Sequence, residues 1–149
     1  MRLLALLPGL ATLAALVHAE SVFINNHLST PIWYTQVTGD GSRTSTTKIE
    51  PYGSSTLPQT DQYGVAIKIT AEEYDIDIAG KGVLTLGYNK HPQGWIYYDI
   101  GIYLSYPFDG KRTKLGGPGG DNDWWDGHAH PQNTIGSPRP GDLWLDIGY

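Results

Sequence analysis

The feature that most constrains the fold is an alternation of apolar and polar residues with a period of two. Val65, Ile67 and Ile69 alternate with small or polar residues, and the same alternation recurs over 96–100 and 143–147. Successive side chains of a β-strand point to opposite faces of a sheet, so each segment predicts a strand with one buried face. No segment of ten or more residues has helical periodicity. The sequence therefore predicts an all-β fold.

Turn-forming residues separate these segments. The alternation predicts a further strand over 74–78, and residues 70–73 fit one helical turn. The sequence Gly-Asp-Gly over 39–41 predicts a tight hairpin between two strands. Further chain reversals are predicted at 51–53, 80–82 and 92–94.

The composition changes in the last third of the chain. Residues 116–141 are rich in Gly, Pro, Asp and His and contain few aliphatic side chains. This composition predicts a long loop before the final strand, and long ordered loops in compact domains are usually functional. Many short strands with frequent turns indicate an antiparallel β-sandwich or a barrel, with a long Gly/Pro/Asp-rich loop near the C-terminus.

The N-terminus has the parts of a cleavable signal peptide. Arg2 provides a positive charge, residues 3–17 form an apolar run, and Ala19 ends a cleavage site of small residues. The apolar run is shorter than the roughly 20 residues that a bilayer-spanning helix needs. We therefore expect a signal peptide over 1–19, a single domain over 20–149, no membrane insertion, and an extracellular or cell-wall location.

Charge and cysteine content restrict the partners. Without Arg2 the chain has nine basic and fifteen acidic side chains, a net charge of −6. This balance opposes binding to nucleic acid or to anionic membranes, and it fits neutral polymers or other proteins. The chain has no cysteine, so its core must form without disulfides, which a domain of this size can achieve.

The densest polar cluster lies over 121–130, with three carboxylates and two imidazoles. These groups are metal ligands, but the calcium-loop pattern requires a following Glu, and none is present. The His-x-His spacing has no identifiable third ligand. A solvated acidic loop is the favoured interpretation, and we expect neither a metal nor another cofactor.

Trp124 and Trp125 lie in the same segment, flanked by Asp123 and Asp126. Adjacent side chains on a strand face opposite ways, so at least one indole should be exposed. Exposed aromatic rings stack on the apolar faces of sugars while neighbouring carboxylates bind hydroxyl groups. The alternative is that one Trp anchors the loop to the core.

No complete catalytic set is present. The chain contains neither a Cys nucleophile nor a Gly-x-Ser-x-Gly motif. Glycoside hydrolysis usually needs two convergent carboxylates, and sequence spacing identifies no such pair. We therefore expect a protein that is not an enzyme. A weak glycoside hydrolase that uses Asp99 with another carboxylate remains an alternative.

Four segments together resemble a known family. They are Phe-Ile-Asn-Asn-His to Pro-Ile-Trp over 23–33, the strand 64–69, Trp-Ile-Tyr-Tyr-Asp-Ile over 95–100, and Asp-Gly-His to Leu-Trp-Leu over 126–145. In combination they are similar to the Blastomyces yeast-phase-specific proteins, the small fungal branch of thaumatin-like proteins. The resemblance implies a thaumatin-like β-sandwich, an extracellular or cell-wall location, and a role in surface antigenicity or host interaction.

The chain departs from this family at informative positions. The resemblance implies cysteines at His27 and Gly148, bridged to each other, and another near Ser137. Both ends of the terminal bridge are absent together, so strand pairing and packing must hold the termini. Of the acidic glucan-binding cleft of larger thaumatin-like proteins, only Asp99 matches, and Leu104 replaces an expected Asp.

The sequence thus predicts a secreted, non-enzymatic fungal surface antigen or effector-like protein. We expect it to bind a cell-wall polysaccharide or a host surface protein. Alternatives are a weak hydrolase of β-glucan and a purely structural wall or spore-coat protein. The predicted ligand-binding residues are Trp124, Trp125, Asp123, Asp126 and Asp99.

Overall fold

A computed structural model describes residues 20–149, so the predicted signal peptide lies outside the described residues. This part of the chain forms eleven strands and one turn of 3-10 helix, Asp75–Asp77. Within it, no helix has the length and hydrophobicity needed to span a bilayer. The strands are β1 Ser21–Asn26, β2 Ile32–Val37, β3 Thr47–Ile49, β4 Ser54–Pro58, β5 Val65–Thr70, β6 Val83–Lys90, β7 Ile96–Tyr103, β8 Thr113–Gly117, β9 Gly120–Trp124, β10 Ile135–Ser137 and β11 Leu143–Ile147.

The strands form two sheets. The five-stranded sheet has the order β4-β1-β11-β8-β9, and the six-stranded sheet has the order β10-β7-β6-β5-β2-β3. Neighbouring strands are antiparallel except β1 and β11, which pair in parallel with Ile24 opposite Leu145. The first and last strands of the described chain therefore lie side by side within one sheet.

The inner faces of the two sheets form one hydrophobic core. Ile24, Leu115 and Leu145 contribute from the five-stranded sheet, and the buried faces of β5, β6 and β7 contribute from the other. Tyr98 is fully buried on β7, and its hydroxyl donates a hydrogen bond to Gly120 O at 2.8 Å in the opposite sheet. The sheets pack face to face as a sandwich, which leaves two outer faces on opposite sides of the molecule.

The alternation correctly predicted the strands with one buried face. Segments 65–69, 96–100 and 143–147 lie within β5, β7 and β11, and their Ile, Leu and Val side chains are buried. The hairpin prediction at 39–41 is also confirmed, because Gly41 has a φ of 84° and Thr38 N donates to Ser42 O at 2.9 Å.

Two local predictions near residue 75 were wrong. The segment 74–78 is not a strand but contains the 3-10 helix, and the helical turn expected over 70–73 is absent. Thr70 ends β5, and its Oγ1 donates to Glu72 O at 2.8 Å, which turns the chain away from the sheet. Tyr74 and Ile78 are exposed, so the apolar alternation in this segment has no core to face.

The predicted long loop over 116–141 is also corrected. Strands β9 and β10 lie inside it, and irregular backbone is confined to 125–134 and 138–142. A tight turn at 118–119 pairs Gly117 with Gly120 and brings β9 back along β8. In β9, Asn122 and Trp124 are buried while Asp121 and Asp123 face outward. The Gly/Asp-rich composition conceals this alternation of buried and outward-facing residues.

Candidate functional site

The structure separates the two adjacent tryptophans. Trp124 ends β9 on its inner face, is 3% exposed, and packs edge-on against Tyr106 with ring centroids 5.3 Å apart. Trp125 is 68% exposed and begins the irregular segment 125–134. Trp124 thus belongs to the core, as the alternative interpretation had it, and only Trp125 is accessible to a ligand.

Asp123 is engaged in an ion pair on the outer face of the five-stranded sheet. Its two carboxylate oxygens accept hydrogen bonds from Arg112 at 3.0 and 2.5 Å. These hydrogen bonds lower the pKa of Asp123 below its ordinary value, with a further lowering from the guanidinium charge. Arg112 also lies over the ring of Tyr149, 4.5 Å from its centroid. Asp123 therefore joins β9 to the start of β8.

Asp126 organises the segment 125–134. Its Oδ1 accepts a hydrogen bond from the backbone N–H of His128 at 3.0 Å and lies 2.8 Å from His130 Nε2. The backbone bond is the main reason that the pKa of Asp126 is lowered. His128 Nδ1 lies 2.9 Å from Asp109 Oδ1, and this contact raises the pKa of His128. Among residues 20–149, no three His, Asp or Glu side chains are placed to hold a metal ion.

Asp99 lies apart from these residues, on the outer face of β7 in the six-stranded sheet. Its Oδ2 accepts hydrogen bonds from Gln132 Nε2 at 2.7 Å and from Thr134 Oγ1 at 2.9 Å. Its Oδ1 lies over Gly87, the register partner of Asp99 on β6, 3.0 Å from the position that a Cβ would occupy. The predicted site residues therefore do not form one cluster, because Asp99 and Asp123 lie on opposite faces of the sandwich.

Two residues beside Asp99 were missed by the sequence analysis. Trp95 and Tyr97 are 40% and 41% exposed, their ring planes are 14° apart, and their centroids are 6.1 Å apart. They precede Asp99 at intervals of two, so all three side chains point outward while Ile96 and Tyr98 point into the core. The alternation that revealed the core of β7 also contained this signal. We call Trp95, Tyr97 and Asp99 the strand-7 platform.

Two hollows flank the strand-7 platform. One of about 220 Å³ lies beside Tyr97 and Asp99 and is also lined by Gly87, Asn89 and Thr134. The other, of about 430 Å³, adjoins Trp95 and is lined by further residues that include Glu20, Asp61, Lys90, His91 and Pro140. The aromatic rings therefore adjoin two depressions that both contain polar side chains. This arrangement suits a polymer that contacts rings and hydroxyl-binding groups in succession.

Comparisons with known proteins found one matching protein family and one similar solved structure. The family model described as Bys1, Blastomyces yeast-phase-specific protein, matches residues 9–147. Among solved structures, the chain is similar to the protein elicitor MoHrip2 from Magnaporthe oryzae, with a TM-score of 0.74 and 17% sequence identity. The match covers 88% of this chain and 100% of that one. A search of the curated proteins found no match. The structural likeness shows a shared all-β fold.

Proposed function

Because the chain belongs to the Blastomyces yeast-phase-specific protein family, we propose that it is a secreted, non-enzymatic, effector- or antigen-like fungal protein that binds a cell-wall glycan through the strand-7 platform. The proposal includes removal of the signal peptide over 1–19, an extracellular or cell-wall location, and a thaumatin-like arrangement of the sandwich. The similar fold of a protein described as an elicitor supports an effector-like role.

The observation that carries this proposal is the exposure of two neighbouring aromatic rings, one on β7 and one directly before it. Trp95 and Tyr97 each expose about two-fifths of their surface. Grouped exposed aromatics mark interaction surfaces. An indole or phenol ring packs well against the apolar face of a sugar, and the sugar's equatorial hydroxyls remain free for hydrogen bonding. Backbone pairing of β7 with β6 and β10 holds Tyr97 in place, and the backbone oxygen of Trp95 accepts a hydrogen bond from the N–H of His91 at 2.7 Å.

Asp99 provides the polar part of the platform. Both hydrogen bonds that it accepts from protein side chains go to Oδ2, which leaves Oδ1 to accept one from a ligand hydroxyl. Gly87 contributes no side chain beneath that oxygen, so the carboxylate can lie flat against the sheet. The anchored carboxylate is already oriented, which reduces the entropy lost on binding.

Binding without hydrolysis agrees with the carboxylates of the hollow at Asp99, while Glu20 and Asp61 in the hollow at Trp95 are both paired with Lys90. Cleavage of a glycosidic bond usually requires two carboxyl groups on either side of the scissile bond. Among the described residues that line the hollow at Asp99, that side chain is the one carboxylate. The net charge of −6 after residue 19 also favours a neutral polysaccharide over an anionic one.

Retention on insoluble polysaccharides tests the proposal. Mature protein is incubated with β-1,3-glucan, chitin and whole cell walls, and the bound fraction is measured over a concentration series. We expect Trp95→Ala and Tyr97→Ala each to weaken binding roughly tenfold, equivalent to about 1.4 kcal/mol for one lost ring contact. Tyr74→Ala removes a more exposed aromatic outside the platform and should bind like the wild type.

Three outcomes distinguish the alternatives. Wild-type affinity in the Trp95→Ala/Tyr97→Ala double variant would refute the platform, and loss of binding only in Trp125→Ala would move the site to segment 125–134. Release of reducing sugar that Asp99→Asn abolishes would indicate a hydrolase. Retention on a host protein extract but on none of the polysaccharides would replace the glycan with a protein partner.

A further inference from the structure

The opposite outer face of the sandwich carries a second aromatic pair. Phe23 on β1 and Trp144 on β11 are register partners across the parallel pairing of the two strands. Their ring planes are 7° apart, and their centroids are 5.9 Å apart. Trp144 is 42% exposed, close to the value for each ring of the strand-7 platform. This pair lies on the outer face of two neighbouring inner strands of the five-stranded sheet, and Phe23 is half-buried.

A carboxylate lies beside this pair, again over a glycine. Gly116 on β8 is the register partner of Trp144, and Asp121 on β9 is the register partner of Gly116. Asp121 Oδ1 lies 3.1 Å from the position that a Cβ on Gly116 would occupy. Its Oδ2 is held by Lys114 Nζ at 2.6 Å. One carboxylate oxygen is therefore anchored, and the other lies over Gly116, on the strand between Asp121 and Trp144.

The two faces thus share one local construction. In each, a carboxylate lies over the glycine that is its register partner. One oxygen of that carboxylate is anchored by side-chain contacts, and the same face carries a pair of nearly parallel aromatic rings. The distance from the carboxylate oxygen to the glycine's missing Cβ is 3.0 Å at Gly87 and 3.1 Å at Gly116. The construction comes from β6 and β7 on one face and from four other strands on the opposite face. No sequence repeat accounts for this correspondence.

We propose that Phe23, Trp144 and Asp121 form a second glycan-binding surface, the opposite-face platform, and that one molecule holds two polysaccharide chains at once. The inference rests on the proposed function, because it assigns the opposite-face platform the same class of ligand. The two platforms lie on the outer faces of two packed sheets. A single extended chain that follows one face cannot reach the other, so simultaneous occupancy cross-links two chains.

The pairing of charges on this face indicates a neutral ligand. Three carboxylates of this face are paired with a cationic or imidazole side chain, in the pairs Asp121–Lys114, Asp123–Arg112 and Asp146–His27. A fourth, Asp142, accepts a hydrogen bond from the backbone N–H of Ser21. A charged polymer would have to compete with these pairs for its contacts. Hydroxyl groups of a neutral polysaccharide can accept from, or donate to, the exposed edges of the same pairs without breaking them. The occupant is therefore a neutral polysaccharide chain.

Stoichiometry in the unmodified protein provides the first test. Mature protein is titrated calorimetrically with a soluble β-1,3-glucan oligosaccharide and, separately, with a chitin oligosaccharide. We expect two oligosaccharides per protein with the sugar that binds. A single site that Trp95→Ala/Tyr97→Ala abolishes would overturn the second platform and leave the proposed function intact. No binding of either oligosaccharide would overturn both proposals.

Agglutination provides the second test, because only a bivalent molecule joins particles. Beads coated with the bound oligosaccharide are mixed with wild-type protein, with Trp144→Ala, or with Trp95→Ala/Tyr97→Ala. Each variant should still bind the beads at one site while its agglutination titre falls at least tenfold. Asp121→Asn, which keeps the side-chain shape and leaves the ring pair in place, should lower the titre in the same direction.

A second copy of this chain is the competing occupant of the opposite face. Sedimentation of the protein without sugar separates the two possibilities. We expect a monomer for the wild type and for Trp144→Ala. A wild-type dimer that Trp144→Ala dissociates would overturn the glycan assignment and make this face a self-interface. The glycan assignment would equally be overturned if Trp144→Ala and Asp121→Asn had the same agglutination titre as the wild type.

Discussion

Gly148 occupies one of the positions where the resemblance implies a cysteine, and the structure explains why a side chain is costly there. Its φ is +85°, in the left-handed region, directly after β11. A Cβ on this residue would lie 2.2 Å from Leu28 Cδ2 and 2.9 Å from Leu28 Cγ. The Gly148 N–H donates to Arg112 O at 2.7 Å, which fixes the backbone. Gly148→Ala must therefore strain the backbone and displace Leu28.

The backbone strain and the clash with Leu28 together determine how far Gly148→Ala should lower the free energy of unfolding. A left-handed conformation costs an L-residue about 1–2 kcal/mol, and forcing extra atoms into packed surroundings costs about 1–3 kcal/mol. The free energy of unfolding of Gly148→Ala should therefore fall by about 2–5 kcal/mol. With about 3–5 °C per kcal/mol for a domain of this size, Tm should fall by roughly 6–25 °C. Urea and thermal unfolding measured by circular dichroism provide both quantities.

Gly94 offers a matched control. Its φ is also +85°, and no atom lies within 4 Å of the position of its Cβ, so Gly94→Ala measures the backbone cost alone. The difference between the two variants isolates the clash with Leu28. Adding Leu28→Ala to Gly148→Ala should therefore cost less than Leu28→Ala costs in the wild type. If Gly148→Ala destabilises no more than Gly94→Ala, the steric argument is wrong. A cysteine at 148 faces the same obstacle, so Cys substitutions at 27 and 148 should not stabilise the fold.

Three further outcomes are expected. Tyr98→Phe should lower the free energy of unfolding in urea by about 1–3 kcal/mol, because Gly119 N–H and Gly120 O each lose their hydrogen bond to the buried Tyr98 hydroxyl. An unchanged free energy of unfolding would refute this. The NMR titration midpoint of His128 should lie above 6.5 and fall in Asp109→Asn, since the hydrogen bond to Asp109 raises the pKa of His128. The stabilisation from this contact is complete below pH about 6.5 and is lost as pH rises through the raised pKa; equal midpoints would contradict it. The hydrogen bonds from Arg112 lower the pKa of Asp123, so its contribution is present above pH about 4 and lost as pH falls through the lowered pKa. Asp123→Asn should therefore show a weaker pH dependence of stability below pH 4, and an unaltered acid transition would argue against the pair.

How much of the fold the sequence predicts depends on what each pattern can report. Alternation identified β5, β7 and β11 because their apolar side chains fill the core from one face. The same pattern failed over 74–78, since it does not report whether a neighbouring strand is available to pair with. Composition concealed β9, whose Gly and Asp residues are typical of turns although their alternation is that of a strand.

The candidate site was predicted less well than the fold, and for a related reason. Tyr97 and Asp99 alternate with the buried residues of β7, and Trp95 continues the same spacing directly before the strand, so this outward face could have been derived from the sequence. The pairing of Phe23 with Trp144 could not, because it depends on a parallel register between strands at opposite ends of the chain. Trp124 and Trp125 drew attention because they are adjacent, yet adjacency on a strand is what separates them.

The parallel register of β1 and β11 also bears on the missing terminal bridge. The resemblance places that bridge between His27 and Gly148, and closing a chain loop of roughly 120 residues would add about 5 kcal/mol in the chain-entropy model. The structure brings these positions together without it, since His27 N donates to Ile147 O at 2.9 Å. Non-covalent contacts therefore hold the terminal strands together in this chain.

Side chains on the outer face contribute on that scale. Asp146 Oδ1 accepts a hydrogen bond from Asn25 Nδ2 at 2.9 Å and lies 2.9 Å from His27 Nε2, and Asp142 Oδ1 accepts the N–H of Ser21 at 2.8 Å. At about 1 kcal/mol for each contact, with about 0.5–1.5 kcal/mol from the stacked aromatic pair, the sum is roughly 4 kcal/mol, close to the value of the bridge. The rings of the opposite-face platform thus also hold the terminal strands together. A glycan that binds them binds only the folded state, so it stabilises the strand pairing that a disulfide would otherwise secure.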